Sequence, residues 1–196
     1  MRMRIVTLFM LAATALFSME ALAQDKVSKE RRIGFSFTVL DFVTPKRISD
    51  GSLSNVLTNE KWAKLKEAEV GISLFYSEKF APGVDFMVGV GGAFVSDANQ
   101  NSDGNDDFLL TTDATFQLNA FSDKYFVQPH VIVGFGASLV AGSRLGAYFP
   151  VGVGLNFNVL GDTKLFLKST YRIPVTNEAI NKQFVHQLGM LAPINW

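Results

Sequence analysis

The sequence predicts an all-β fold: an eight-stranded antiparallel transmembrane β-barrel with up-and-down meander topology. Three observations carry that expectation. First, residues 151–159 read Val-Gly-Val-Gly-Leu-Asn-Phe-Asn-Val, so every odd position is large and apolar and every even one is Gly or Asn. Strand side chains alternate between faces, so one face is greasy and the other small and polar, as in a membrane barrel with its apolar face to lipid. Second, the N-terminus reads as an export signal. Third, the segments between candidate strands are alternately long and short, the pattern of outer loops and periplasmic turns.

The export signal spans residues 1–23. Arg2 and Arg4 give the positive region, residues 5–19 the apolar region, and Ala21-Leu22-Ala23 the small-residue cleavage site. Its apolar run is shorter than the roughly 20 residues a spanning helix needs. The mature domain is expected over 24–196. It contains no Cys, which excludes disulfides, thiolate nucleophiles and Cys-bound metals. Lys plus Arg balances Asp plus Glu at 18 each, so no basic excess points to nucleic acid. The hydrophobic fraction is 48%, yet no later stretch is long enough for a spanning helix. A membrane-spanning mature chain must then be a barrel, since only helices and closed barrels satisfy the backbone in lipid.

Eight strands follow in order. The first, 32–43, sets Ile33, Phe35, Phe37 and Val39 against Gly34, Ser36 and Thr38. The second, 67–76, sets Val70, Ile72 and Leu74 against Glu69, Gly71 and Ser73. The third, 84–95, sets Phe86, Val88, Val90 and Phe94 against Met87, Gly89, Gly91 and Ala93. The fourth, 108–121, has Leu110, Ala114, Phe116 and Leu118 opposite Thr111, Asp113, Thr115 and Gln117. The fifth, 125–140, has Val131, Val133 and Phe135 opposite Gln128, His130, Gly134 and Gly136. The sixth is 145–159, the seventh 164–172, and the eighth, 182–192, is the least regular. Pro193 lacks a donor N–H, so pairing is expected to stop near Ala192 and leave 193–196 as a tail.

The long connections are 44–66 and 96–107, with 173–181 intermediate. The short ones are 77–83, 122–124 and 160–163. Only 141–144 departs, being short where a long loop is due. An even strand count puts both termini in the periplasm. A soluble lipocalin-type barrel also has eight strands, but it needs a polar exterior. Here the non-greasy face is small and Gly-rich, and only 18% of residues are charged.

Several stretches then resemble a known family: 59–66 (Asn-Glu-Lys-Trp-Ala-Lys-Leu-Lys), 121–125, 128–137, 147–154 and 171–176. They look like the N-terminal barrel of Bacteroidetes-type OmpA-like outer-membrane proteins, over nearly all of the mature chain. The resemblance implies an outer-membrane location. In that family a peptidoglycan-binding domain often follows; this sequence stops at Trp196, so murein anchoring is not carried over.

Few residues could carry chemistry. By parity Glu69, Asp113, Lys168 and Arg172 face the lumen. They form either a gate or, as expected here, a charge-paired plug, because eight strands leave room only for side chains and buried charges need partners. His130 faces the lumen beside Gln128; it would serve a lipid-modifying enzyme only with a Ser on a neighbouring lumen position and an opening to lipid. His186 lies in the outer half of the last strand. Asn99, Asn101 and Asp103, followed by Gly104, match part of a calcium-loop spacing, but Leu110 stands where the twelfth-position Glu belongs. A polar outer loop is the expected reading. Leu53, Val56, Leu57, Trp62 and Leu65 have helical spacing within 53–66, suited to a lid or a recognition surface over the mouth.

The expected function is non-enzymatic: a structural barrel supporting envelope integrity, with outer loops available for surface contacts and no cofactor. The partners expected are outer-membrane lipid and the barrel-assembly machinery. A small-solute channel, or less favoured a lipid-modifying enzyme built on His130, are the alternatives.

Overall fold

The computed structural model describes residues 30–59, 62–95, 107–140, 144–159, 163–175 and 181–194. The proposed signal sequence and the Asn99, Asn101, Asp103 segment lie outside the described residues.

Eight antiparallel strands close into one barrel in sequence order: β1 (Arg31–Asp41), β2 (Glu69–Ala81), β3 (Val84–Val95), β4 (Asp107–Asn119), β5 (Val127–Val140), β6 (Arg144–Asn158), β7 (Lys164–Pro174) and β8 (Gln183–Pro193). β1 pairs with β2 on one side and with β8 on the other, where Phe35 meets Met190 and Thr38 meets Gln187. Closure leaves no unpaired edge.

The alternation read in the sequence is the alternation of the wall. Ile72, Leu74, Val90, Val131, Val153 and Leu167 point outward and are exposed, Val153 at 62%. Ser36, Ser73, Thr111, Gln117, Gln128 and Asn156 point inward and are buried. A soluble protein rarely exposes so continuous an apolar surface. In a bilayer it is the lipid-facing band.

Strand ends differ from the expected ones. β2 continues to Ala81, because its pairing with β3 outlasts the greasy alternation: Ser77 meets Met87, Glu78 meets Phe86 and Lys79 meets Asp85. The connection shrinks to Pro82-Gly83, where Gly83 takes a φ of 74°, a conformation Gly adopts at no steric cost. The chain also does not leave the barrel at Ala192. Pro193 pairs with Arg32, and the Ile194 N–H donates to the Arg31 carbonyl at 2.9 Å. Successive residues of a strand aim their N–H groups to opposite sides. Ile194 spends its N–H on β1, so the missing donor of Pro193 falls on the β7 side, where pairing has already ended at Lys164–Leu191.

The 42–68 connection holds two short helices, α1 (Val43–Asp50) and α2 (Leu53–Thr58), then a 3-10 turn at Leu65–Glu67. The sequence pattern indicated α2 and not α1. Pro45 is tolerated in α1 because it occupies the first turn. Asp41 anchors that turn, its Oδ1 accepting from the Val43 and Thr44 N–H groups at 2.9 and 2.8 Å. Ser52 Oγ caps α2 through the Asn55 N–H at 3.1 Å. It is α1 that rests against β8, with Thr44 and Pro45 buried. In α2 only part of the expected apolar face is covered: Val56 is buried and Leu53 exposed.

Candidate functional site: the filled lumen

The lumen is the place where polar and charged side chains converge, and it is layered from the loop end to the turn end. Beneath α1, inward-facing Leu40, Ala93, Val95, Leu109, Val140 and Val185 form an apolar cluster, with Phe42 packed on it. Above them Thr44 Oγ1 accepts from the Ala63 N–H at 2.9 Å, tying the 62–64 segment to α1. Arg47 bonds the Trp62 carbonyl at 3.0 Å and pairs with Glu67 at 3.2 Å. A bond from the Lys64 N–H, then the Arg47 guanidinium, holds the Glu67 carboxyl below its ordinary pKa.

The next layer holds the charges. Arg172 Nη2 on β7 donates to Asp113 Oδ2 on β4 at 2.8 Å, a bridge across the barrel between strands that are not neighbours. The guanidinium carbon lies 4.6 Å from the Tyr148 ring centroid, and the Tyr148 hydroxyl donates to the Thr112 carbonyl at 3.4 Å. On the opposite wall Thr38, Ser73 and Gln187 bond one another at 3.0–3.3 Å. Of the four lumen charges expected from parity, the structure joins Asp113 and Arg172 and separates the others. Glu69 is the first residue of β2, at the loop-end rim and outside this bridge.

Lys168 also faces inward, but it is not part of the expected charge pairing. Its Nζ sits 4.1 Å from the Phe75 centroid, 5.3 Å from that of Phe166 and 3.5 Å from Met87 Sδ. Phe75, Met87, Phe166 and Leu191 form a second apolar cluster. The ammonium is thus held by ring faces and a thioether, an electrostatically favourable cage, and among the described residues it makes no salt bridge.

Sequence parity placed His130 in the lumen but did not single out Phe75, Tyr148 and Phe166, which break the rule of large residues outside and small ones inside. Each lies over a glycine of the neighbouring strand. Phe75 covers Gly89, Phe166 covers Gly189, Tyr148 covers Gly136 and His130 covers Gly154, all register partners. A Cβ on these glycines would lie 2.2–2.6 Å from the covering ring. Close approach between a ring and a cross-strand glycine fills a narrow barrel without widening it. The readable signal was a lumen-facing glycine whose register partner is aromatic, which requires the register.

His130 lies in the turn-end half with its Nδ1 3.4 Å from the Gln128 carbonyl oxygen. Below it the turn end is closed by charge. Asp123, in the β4–β5 turn, pairs with Lys79 and with Lys164 at 2.8 Å and accepts from Gln128 at 3.0 Å. Burial alone would raise the Asp123 carboxyl; Lys164, Lys79 and Gln128 outweigh it and hold the group well below the carboxylate range.

No protein-family model matches this chain, and no curated protein matches it in sequence. Solved structures do resemble it in shape. Neisserial surface protein A aligns with a TM-score of 0.55 at 10% identity, over 85% of this chain and 97% of that one. The attachment invasion locus protein Ail of Yersinia pestis, in complex with a heparin analogue, aligns at 0.49 and 15% identity over 85% and 99%. The N-terminal barrel of Pseudomonas aeruginosa OprF aligns at 0.47 and 10% over 85% and 100%. The likeness to the Neisserial protein shows a shared fold. With its closed ladder and apolar wall, the chain is an outer-membrane β-barrel. Its loop end therefore faces outward and its turn end, with the Asp123 cluster, faces the periplasm.

Proposed function

We propose that the protein is a non-conducting, non-enzymatic scaffold of the outer membrane, supporting envelope integrity and carrying outer loops for surface contact. One observation supports this reading: side chains fill the loop half of the lumen, with the apolar cluster of Leu40, Val95, Leu109, Val140 and Val185 and the Asp113–Arg172 bridge. An ion crossing the apolar layer would shed its hydration with nothing to replace it. The reading includes placement in the Bacteroidetes OmpA-like group, supported by the sequence stretches at 128–137 and 147–154, and insertion by the barrel-assembly machinery. His130 speaks for packing over chemistry, since its ring lies over Gly154 on the lumen side.

A small-solute channel is the second reading. It is favoured by Asp113 Oδ1, Arg172 Nη1 and both amide atoms of Gln183, which are buried in the loop half without a protein hydrogen-bond partner, as groups lining a water path would be. Planar-bilayer recording separates the two. The scaffold gives no steady conductance, and a stable, ion-selective channel from the wild-type protein overturns it. Unchanged lipid A mass spectra after gene deletion are expected of a non-enzyme; loss of one acyl form would restore the enzymatic reading.

A further inference from the structure

At the loop end a basic segment adjoins a recess in the lipid-facing wall. The 43–67 connection carries five basic residues, Lys46, Arg47, Lys61, Lys64 and Lys66, against three acidic ones, Asp50, Glu60 and Glu67. Glu67 is taken by Arg47. Just ahead of β2, Trp62, Lys64 and Lys66 are all exposed. They stand on a pinned backbone. The Trp62 carbonyl accepts from Arg47 at 3.0 Å, the Ala63 N–H donates to Thr44 Oγ1 at 2.9 Å, and the Lys64 N–H donates to Glu67 Oε2 at 2.8 Å. A backbone held in this way presents its side chains to a ligand at a small further ordering cost.

The recess is a groove of about 620 Å³ on the outer face of β2, β3 and β4, within the range of small-molecule sites. Its floor is Gly92, flanked by its register partners Ile72 and Leu110. Among the described strand residues Gly92 is the only glycine on the outward face, so the wall is hollow there. The lip is formed by Val70, Phe94 and Phe108, each the second residue of its strand from the loop end, with the two rings packed at 5.4 Å. The three floor residues are each the fourth from that end, about 10 Å along the strand. The recess therefore opens at the outer rim and deepens within the outer leaflet, whose hydrocarbon is about 15 Å thick. Glu69 and Asp107, the acidic residues that open β2 and β4, stand on the inward-facing parity.

We propose that this end of β2 to β4 seats a phosphorylated glycolipid of the outer leaflet, of the lipid A type, with a headgroup phosphate at Lys64 and Lys66 and one acyl chain in the Gly92 recess. The recess alone would accept any acyl chain; the lysines supply the selection. Two ammonium groups two residues apart repel each other, and a zwitterionic or neutral head leaves that repulsion in place, whereas a phosphate offsets it. Trp62 beside them suits the same level, since Trp is favoured where headgroups meet hydrocarbon. The inference rests on the lipid-facing wall and is independent of whether the lumen conducts.

The test is lipid retention, read by native mass spectrometry of the full chain refolded in detergent micelles with bisphosphorylated lipid A or with the same lipid after dephosphorylation. The wild type is expected to retain one bisphosphorylated molecule and to prefer it over the dephosphorylated one. Lys64→Gln combined with Lys66→Gln should lower retention of the bisphosphorylated lipid about thirtyfold, the worth of two lysines at an anionic lipid surface, and leave the dephosphorylated lipid unaffected. Gly92→Leu, which fills the recess, should lower retention of both. Lys124→Gln, which removes an exposed ammonium at the turn end, should change neither. Retention indifferent to the phosphates, or unaffected by the lysine pair, overturns the charge selection and with it the proposal. Full retention by folded Gly92→Leu overturns the acyl seat. The lysine pair lies outside the barrel wall, so its result decides the proposal even if Gly92→Leu does not fold.

Discussion

Asp113 and Arg172 meet across the lumen from the fourth and seventh strands at 2.8 Å, although their strands share no ladder. Their side chains are 17% and 4% exposed, so the pair is desolvated. A bridge of this kind contributes little net stability relative to a well-packed apolar pair, but removing one partner strands the other charge. Asp113→Ala should therefore destabilise by about 3–5 kcal/mol. The double replacement Asp113→Leu with Arg172→Met should recover most of that loss. Urea titration in micelles measures both. A small penalty for the single variant would mean that water reaches the guanidinium, and would favour the channel.

Lys168 gives the contrasting case, four residues away on the same face of β7. Its cage of Phe75, Phe166 and Met87 supplies ring and thioether contacts worth about 0.5–2 kcal/mol, against a desolvation cost of several kcal/mol for a buried charge. Met fits that surrounding without the cost. Lys168→Met is expected to be neutral or to stabilise by up to about 2 kcal/mol, while Arg172→Met alone destabilises. Equal destabilisation by both would show that Lys168 has a charge partner that matters.

What the sequence made legible was whatever depends on period two. Val153 outside and Asn156 inside follow from alternation alone, and so does the inward aim of Asp113 and Arg172, whose meeting then needs only a narrow barrel. What depends on register was not legible. That Phe75 faces Gly89 and Tyr148 faces Gly136 is set by which residues stand opposite, and alternation fixes the face but not the partner. The cage that takes Lys168 out of the charge network was hidden for that reason. α1 was hidden for another: eight residues containing Pro45 carry little helical signal, and the Asp41 carboxylate and the barrel mouth supply what propensity lacks. Pro193 looked like a strand terminator because which side its N–H would face is known only from the ladder.

The outward face should behave as a lipid-facing surface and not as a solvent-facing one. Val153 is 62% exposed, a site where a soluble barrel accepts Arg at almost no cost. In a bilayer Val153→Arg should cost about 2–4 kcal/mol near the midplane, declining toward the interfaces. Val153→Leu should be near neutral. Unfolding titrations in lipid vesicles give the comparison, and equal stability of the Arg and Leu variants would remove the case for a lipid-facing wall.

The periplasmic end should confer a pH dependence that one substitution removes. Asp123 is held below its ordinary pKa by Lys164, Lys79 and Gln128, which together exceed the opposing effect of burial. A carboxylate whose folded value is depressed binds fewer protons when folded than when unfolded. Its contribution is therefore fully present above the unfolded value, about 3.9, and is lost as pH falls from there through the depressed folded value. Asp123→Asn keeps the shape and removes the charge. At pH 7 the variant should be less stable than the wild type, and the gap should close steadily as the pH is lowered past about 4. Paired denaturant titrations across that range measure it. A gap that stays constant down to strong acid would mean that Asp123 acts through its hydrogen-bond geometry, with no contribution from its charge.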